Sequence, residues 1–375
     1  MTADQLDPAE ILARHPRVWW ASPTVTLAGF GSLAIFDPGT GDGRFERARA
    51  VSAPVTFASF TFDGEASGSL VIVPELVVEV ADGETTLHGD SSLMPPAPVA
   101  VPPERDRPRF AGSSLPDHLW LEAIGSILEM IERREVEKVV LARDHALWSK
   151  QRFDPHRILA RLSDRVPDCF RFLIEGLVGA SPELLIRKTA LAIESVTLAG
   201  TAARGLTNED DEILGKEMLS DPKALTEHRL AAAPVGAILR SIASDLSHPA
   251  SPELMRLANV QHLATPFSGH LDSDEHVLEL VARLHPTPAV GGVPTAAAEG
   301  IIKDLEAMDR NRYAGPVGYF RANGDGEIAI ALRCAELSGA RARLFAGNGI
   351  VEGSIPEDEL EETRLKLAAM LSALE

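Results

Sequence analysis

Two carboxylates near the C-terminus, Glu359 and Glu362, stand three residues apart, and Lys366 follows Glu362 by four. On a helix that spacing places all three head groups on one face. The ordinary state of such a trio is a solvated charged surface with an i,i+4 ion pair. The preceding segment, Leu344–Val351 (LFAGNGIV), argues for more. Its apolar run leads into Gly347 and Gly349, where missing side chains let backbone approach a ligand and expose N–H groups. Two carboxylates beyond such a turn make a platform for Mg²⁺, which takes one or two carboxylates and keeps waters for substrate oxygens. Glu227, within Thr226–Arg229, supplies a third hard oxygen if its helix faces the other two across a cleft. His228 points about 100° away from it on a helix, so a joint Glu–His metal site is not expected.

Acid–base chemistry has its own candidates. Lys138 opens the β-prone run KVVLAR, whose alternation puts Lys138, Val140 and Ala142 on one face. A lysine turned into a sheet-lined cleft is either paired or without its proton, and a neutral lysine is a competent general base. Glu183 stands at a strand start after Pro182, where its bland role is a polar cap. A protonated glutamic acid opposite a neutral lysine is the matched pair that elimination or substitution requires. Arg333 ends the apolar strand Glu327–Arg333, where its donors suit either a ligand carboxylate or a structural ion pair. His262, read from the residues around it alone, is a satisfied core histidine. Gly200 and Thr201 either present an N–H and a hydroxyl to an anion or form a simple turn. No Walker loop or GxGxxG lies at a strand–helix junction, so a nucleotide cofactor has no support.

The elements that must position these groups change character along the 375 residues. Residues 1–110 read as short β-prone runs, Thr24–Leu27, Ser32–Phe36, Val55–Phe62 and Ser69–Val80, broken by Gly, Pro and Asp. Met94–Arg109 holds six prolines and reads as an extended connector. From Leu115 an amphipathic helix carries Trp120, Ile124, Ile127 and Ile131, and the strand Lys138–Leu147 follows it. Further expectations are a short helix over Pro155–Leu162, strands Arg171–Leu177 and Leu184–Arg187, and another ending at Leu198. Helices follow over Asp210–Met218 and Lys223–Ala243, the second capped by Asp221, started by Pro222 and kinked at Pro234. The last helix begins after Pro356. The class is α/β or α+β with large sheets.

The charge narrows the partners. With 55 acidic and 36 basic side chains the net charge is −19, which disfavours nucleic acid and anionic membranes. Cys169 and Cys334 are too few for a disulfide framework or a structural zinc. No segment resembles a signal peptide or a membrane span. A cytoplasmic protein, monomeric by default, is the expectation.

In their order, KVVLAR, SPELLIRK, LAGTAARG, the TEH helix, VQHLATPF, LHPTPAVGG, RCAEL, LFAGNGIV and EETRLKL resemble the chorismate-utilising enzymes over residues 115–372. That resemblance implies one unit of large antiparallel sheets sandwiched with helices around a central cleft, with residues 1–110 its strand-rich N-terminal part. It implies Lys138 as the base that activates water toward ring carbon C2, and Glu183 as the acid that protonates the departing C4 hydroxyl. It implies Glu227 and Glu362 as magnesium carboxylates, with Glu359 their acidic neighbour, and chorismate as the small-molecule substrate. Arg333, Gly347, Gly349 and Tyr313 match positions at the enolpyruvyl carboxylate. Gly200, Thr201 and Lys366 match those around the ring carboxylate and metal, and His262 matches a substrate-orienting histidine. Ala289, where salicylate and anthranilate synthases resemble threonine, and a water-activating Lys138 are similar to the isochorismate synthases, whose product leads to siderophores or menaquinone. A salicylate synthase, which adds pyruvate elimination, and a non-catalytic chorismate-binding relative are the alternatives.

Overall fold

Residues 6–96 and 107–375 are described by the computed structural model. The first part runs α1 (Pro8–Leu12), β1 (Val18–Ala21), β2 (Val25–Phe36), α2 (Arg44–Arg49), β3 (Thr56–Ser59), β4 (Leu70–Ala81), β5 (Glu84–Gly89) and β6 (Arg109–Gly112). Next come α3 (Asp117–Glu132), β7 (Lys138–Trp148), α4 (Pro155–Arg165), β8 (Phe170–Ile174), β9 (Leu177–Ser181), β10 (Leu184–Thr189) and β11 (Ala192–Ala203). Then follow α5 (Asn208–Met218), α6 (Pro222–Arg240), β12 (Glu253–Arg256), β13 (Val260–His270), α7 (Val277–Leu284), β14 (Gly292–Val293) and α8 (Thr295–Leu305). The chain closes with β15 (Pro316–Phe320), β16 (Gly326–Ile330), β17 (Cys334–Ser338), β18 (Arg341–Ile350) and α9 (Pro356–Leu374).

Antiparallel pairing links most of these strands into one continuous path, with β5 added beside β4 and β6 and β14 beside β7. It passes from β12 through β13, β11, β10, β16 and β15 to β3, then through β4, β2, β1, β8, β9 and β17 to β18 and β7. The N-terminal strands are therefore integral to this path, joined to the later part at β1–β8 and β3–β15. The large antiparallel sheets expected from the resemblance are present.

Period-two alternation sorts the side chains into two cores. In β1, Val18 and Trp20 enter one core with Phe57, Phe172, Trp120 and Ile328. Trp19 and Ala21 point the other way, into a second core with Leu344, Leu367 and Met370. That second core lies beneath α1, α4 and α9, which contribute Ile11, Leu159 and Met370.

Several local expectations are corrected. The runs Thr24–Leu27 and Ser32–Phe36 are one strand, β2, with a bulge between Phe30 and Leu33 that absorbs the interruption at Gly31. The run Arg171–Leu177 is a hairpin, because Glu175 and Gly176 take positive φ values of 42° and 77° and turn the chain. The strand assigned to Glu327–Arg333 ends at Ile330; Arg333 lies beyond it at φ 47°, outside any ladder. α6 passes unbroken through Pro234 to Arg240, although that residue has no N–H to give its helix. Residues 97–106 of the proline-rich connector lie outside the described residues. No described helix is long and apolar enough to cross a membrane.

Candidate active site

One pocket collects most of the candidate chemistry. Its walls carry Glu183, Glu227, His262 and Arg333 together with Gly200, Thr201, Ala289, Tyr313, Gly347, Gly349 and Lys366. Strands from opposite ends of the pairing path meet here: β11 and β13 bring Gly200, Thr201 and His262, and β18 brings the two glycines.

Gly347 and Gly349 lie within β18 rather than in a turn, facing Ala142 and Val140 of β7. Their purpose is clearance. A Cβ on Gly349 would clash with Glu227 Oε1 and stand 2.5 Å from Lys138 Cε. A Cβ on Gly347 would come 3.2 Å from the Tyr313 hydroxyl, whose ring stacks on Phe345. Gly200 is likewise not a turn: it is a bulge in β11 at φ 72° that shifts the register against β13.

Lys138, the first residue of β7, is 1% exposed and places Nζ 3.4 Å from Glu227 Oε1. Glu183 is buried at the start of β10 and forms no ion pair within the described residues. Burial lifts its carboxyl to about 8, against the opposing pull of Lys138, the Leu198 amide, Lys366 and Arg333. Glu183 therefore holds its proton at neutral pH.

Arg333, partly buried on its positive-φ loop, donates from Nη2 to His262 Nε2 at 3.1 Å. The other ring nitrogen, Nδ1, lies 3.0 Å from the Gly200 carbonyl and 3.2 Å from Thr201 Oγ1. Burial, with Arg333 and Lys366 adding, pushes His262 down to about 3, so a neutral ring with its proton on Nδ1 satisfies both sides. His262 is thus a fixed support for Arg333 rather than an isolated core histidine.

The three carboxylates each meet a different lysine. Glu227 pairs with Lys138, Glu362 with Lys366 at 2.7 Å, and Glu359 with Lys223 at 2.6 Å. Lys366 also donates to the Gly347 carbonyl and Asn348 Oδ1, each at 2.9 Å, which ties α9 to β18. Glu359, 2% exposed, accepts a second bond from Asn348 Nδ2 at 3.0 Å. Among the described residues no three such side chains form a ready metal cluster. Their charges nevertheless act on one another: burial raises Glu227, Lys138 opposes this, and Glu362 and then Glu359 raise it further. Hard carboxylate oxygens of this kind are the donors that a small divalent cation takes, and a glycine keeps the space beside Glu227 clear.

Lys223 and Asn348 belong to this cluster without having been singled out by type. Lys223 had a signal, since it precedes Glu227 by four residues on one helical face. Behind the pocket, Glu306 and Arg310 form a buried pair that holds its walls: Glu306 accepts from the Ala142 amide, and Arg310 donates to the Val140 and Val290 carbonyls.

Residues 96–375 match the family model described as chorismate binding enzyme. Isochorismate synthase MenF of Bacillus subtilis (strain 168) is 33% identical over 96% of this chain and 88% of its own. Isochorismate synthase EntC of Escherichia coli (strain K12) is 40% identical over 64% of this chain and 62% of its own. The solved structure of MenF, the menaquinone-specific isochorismate synthase from Escherichia coli, matches with a TM-score of 0.84 at 25% identity. That match covers 99% of this chain and 92% of the other.

Proposed function

The chain belongs to the chorismate-binding enzymes, and from that membership and the pocket's chemistry we propose that it is an isochorismate synthase. The observation that carries the mechanism is a buried glutamic acid, Glu183, that keeps its proton, in a pocket where Lys138 is engaged through Glu227, a different carboxylate of its wall. Lys138 acts in its neutral form, once the proton it shares with Glu227 has passed to solvent, and takes a proton from a water molecule as the water oxygen bonds to ring carbon C2. The two ring double bonds shift, and the C4 hydroxyl leaves as water with the proton that Glu183 gives. No electrons are gained or lost overall. General acid–base assistance of this kind is worth about 10²–10⁴-fold for each group.

Arg333, steadied by His262, receives the enolpyruvyl carboxylate, with Tyr313, Gly347 and Gly349 shaping that end of the pocket. Gly200 and Thr201 receive the ring carboxylate, and Ala289 leaves room at the ring. Glu227 and Glu362, with Glu359 beside them, would hold Mg²⁺. When bound, the ion offsets the ring carboxylate's charge in a protein that is itself strongly anionic. The salicylate synthase alternative is set aside, since the relatives named above are isochorismate synthases. The product would feed siderophore or menaquinone synthesis.

The test is direct product analysis. Purified protein with chorismate and Mg²⁺ is expected to form isochorismate, and neither EDTA-treated protein nor the K138A and E183Q variants should do so. Salicylate plus pyruvate would overturn the product assignment. Full turnover by K138A or E183Q would remove the acid–base scheme, and full activity in EDTA would remove the metal.

A further inference from the structure

Of the three lysines that meet the carboxylate cluster, Lys223 is held differently. Lys366 is fixed by three acceptors, and Lys138 is enclosed beneath Gly349 with a side chain 1% exposed. Among the described residues Lys223 has one hydrogen-bond acceptor for its ammonium, Glu359 Oε1 at 2.6 Å, and its side chain is 33% exposed. It sits in the first turn of α6, directly after the Asp221 cap and Pro222, and one turn before Glu227. Its ammonium therefore bears a charge in the cluster and also has a path to solvent.

We propose that Lys223 is an internal counter-ion that occupies Glu359 in the resting protein and gives it up to the divalent cation. The inference rests on the magnesium reading above. Buried Glu359 needs a positive partner in either state, because an unpaired carboxylate at 2% exposure is strongly disfavoured. An ammonium and a divalent ion cannot share its Oε1 without close like-charge repulsion. One arrangement replaces the other, and the exposed stem of Lys223 makes it the group that yields. Competition of this kind weakens the resting site for Mg²⁺.

The experiment is calorimetric titration of Mg²⁺ into the full-length, substrate-free protein, so that binding is read without turnover. K223M and K223Q are expected to bind Mg²⁺ about tenfold more tightly or better, by loss of one nearby like charge. K223R, which keeps the charge, should stay near the parent. Without Mg²⁺ both neutral variants should melt at lower temperature than the parent, and saturating Mg²⁺ should close that gap. Unchanged or weaker Mg²⁺ binding in both neutral variants overturns the proposal while leaving the metal site in place. Failure of the parent itself to bind Mg²⁺, with E362Q indistinguishable from it, overturns the metal reading and this inference with it.

Discussion

Arg333 Nη2 and His262 Nε2 lie 3.1 Å apart, and only a neutral imidazole can accept that bond. The arginine comes from a loop just past β16 and the histidine from the middle of β13, so the contact joins two separate walls of the pocket. It sets the direction of the guanidinium that we propose receives a substrate carboxylate. In that proposal the histidine contributes to binding geometry rather than to proton transfer.

Replacing His262 by leucine should accordingly raise KM for chorismate by about tenfold or more, the effect of one charge-assisted hydrogen bond, while kcat changes less. Nitrogen-15 NMR of the parent should show His262 neutral and protonated at Nδ1 down to pH 5, well above its value of about 3. An imidazolium signal near neutral pH, or a loss confined to kcat, contradicts the support role.

Glu183 predicts the alkaline side of the rate profile. Its folded value of about 8 lies above the ordinary carboxylic range because burial penalises the anion. The protonated, donating form prevails below pH 8 and is lost above it, so kcat should fall as pH rises through about 8. The linkage has the same sign: the protonated form favours the fold, and stability from this group declines between the unfolded carboxylate range and pH 8. A rate that rises steadily to pH 10 sinks this assignment.

Gly349 should be intolerant for a local reason. A methyl group there meets Glu227 Oε1 and the end of Lys138. Overpacking of this type costs about 1–3 kcal/mol, so G349A should remain folded at room temperature. Because it displaces Lys138, turnover should drop by about 10² or more, the worth of one general base. Circular dichroism together with product assays checks both halves, and wild-type turnover in G349A means that Lys138 does not reach the reaction from beneath this strand.

The pair Glu306–Arg310 tests the scaffold apart from the chemistry. Both side chains are buried, and together they bond three backbone groups around β7 and the 285–291 loop. Removing the cation strands a buried carboxylate, at a cost of about 3–5 kcal/mol. Urea unfolding of R310M should show that loss. The double variant E306Q/R310M should recover part of it, and equal stability of R310M and parent rejects the pair as a wall support.

The sequence by itself determined a great deal of this protein. Alternation and helical spacing located most elements, because an apolar face must be buried wherever it occurs. Motif resemblance named Glu183, Glu227, His262 and Arg333, which line one pocket, and Lys138, which lies behind that wall paired with Glu227. Short-range signals went wrong where the chain departs from regular periods. Gly347 and Gly349 read as turn residues and Gly200 as an anion contact or a turn, yet they serve as clearance and as a bulge inside long strands, since a glycine carries no mark of which neighbour will crowd it. Arg333 read as strand, but its side chain is aimed by a positive-φ loop. Partnership was decided only in three dimensions. Which lysine answers which glutamate, and which arginine holds which histidine, depends on strands and helices far apart in sequence being packed together. A hydrogen bond spans about 3 Å, and no spacing along the chain records distances of that size between remote elements.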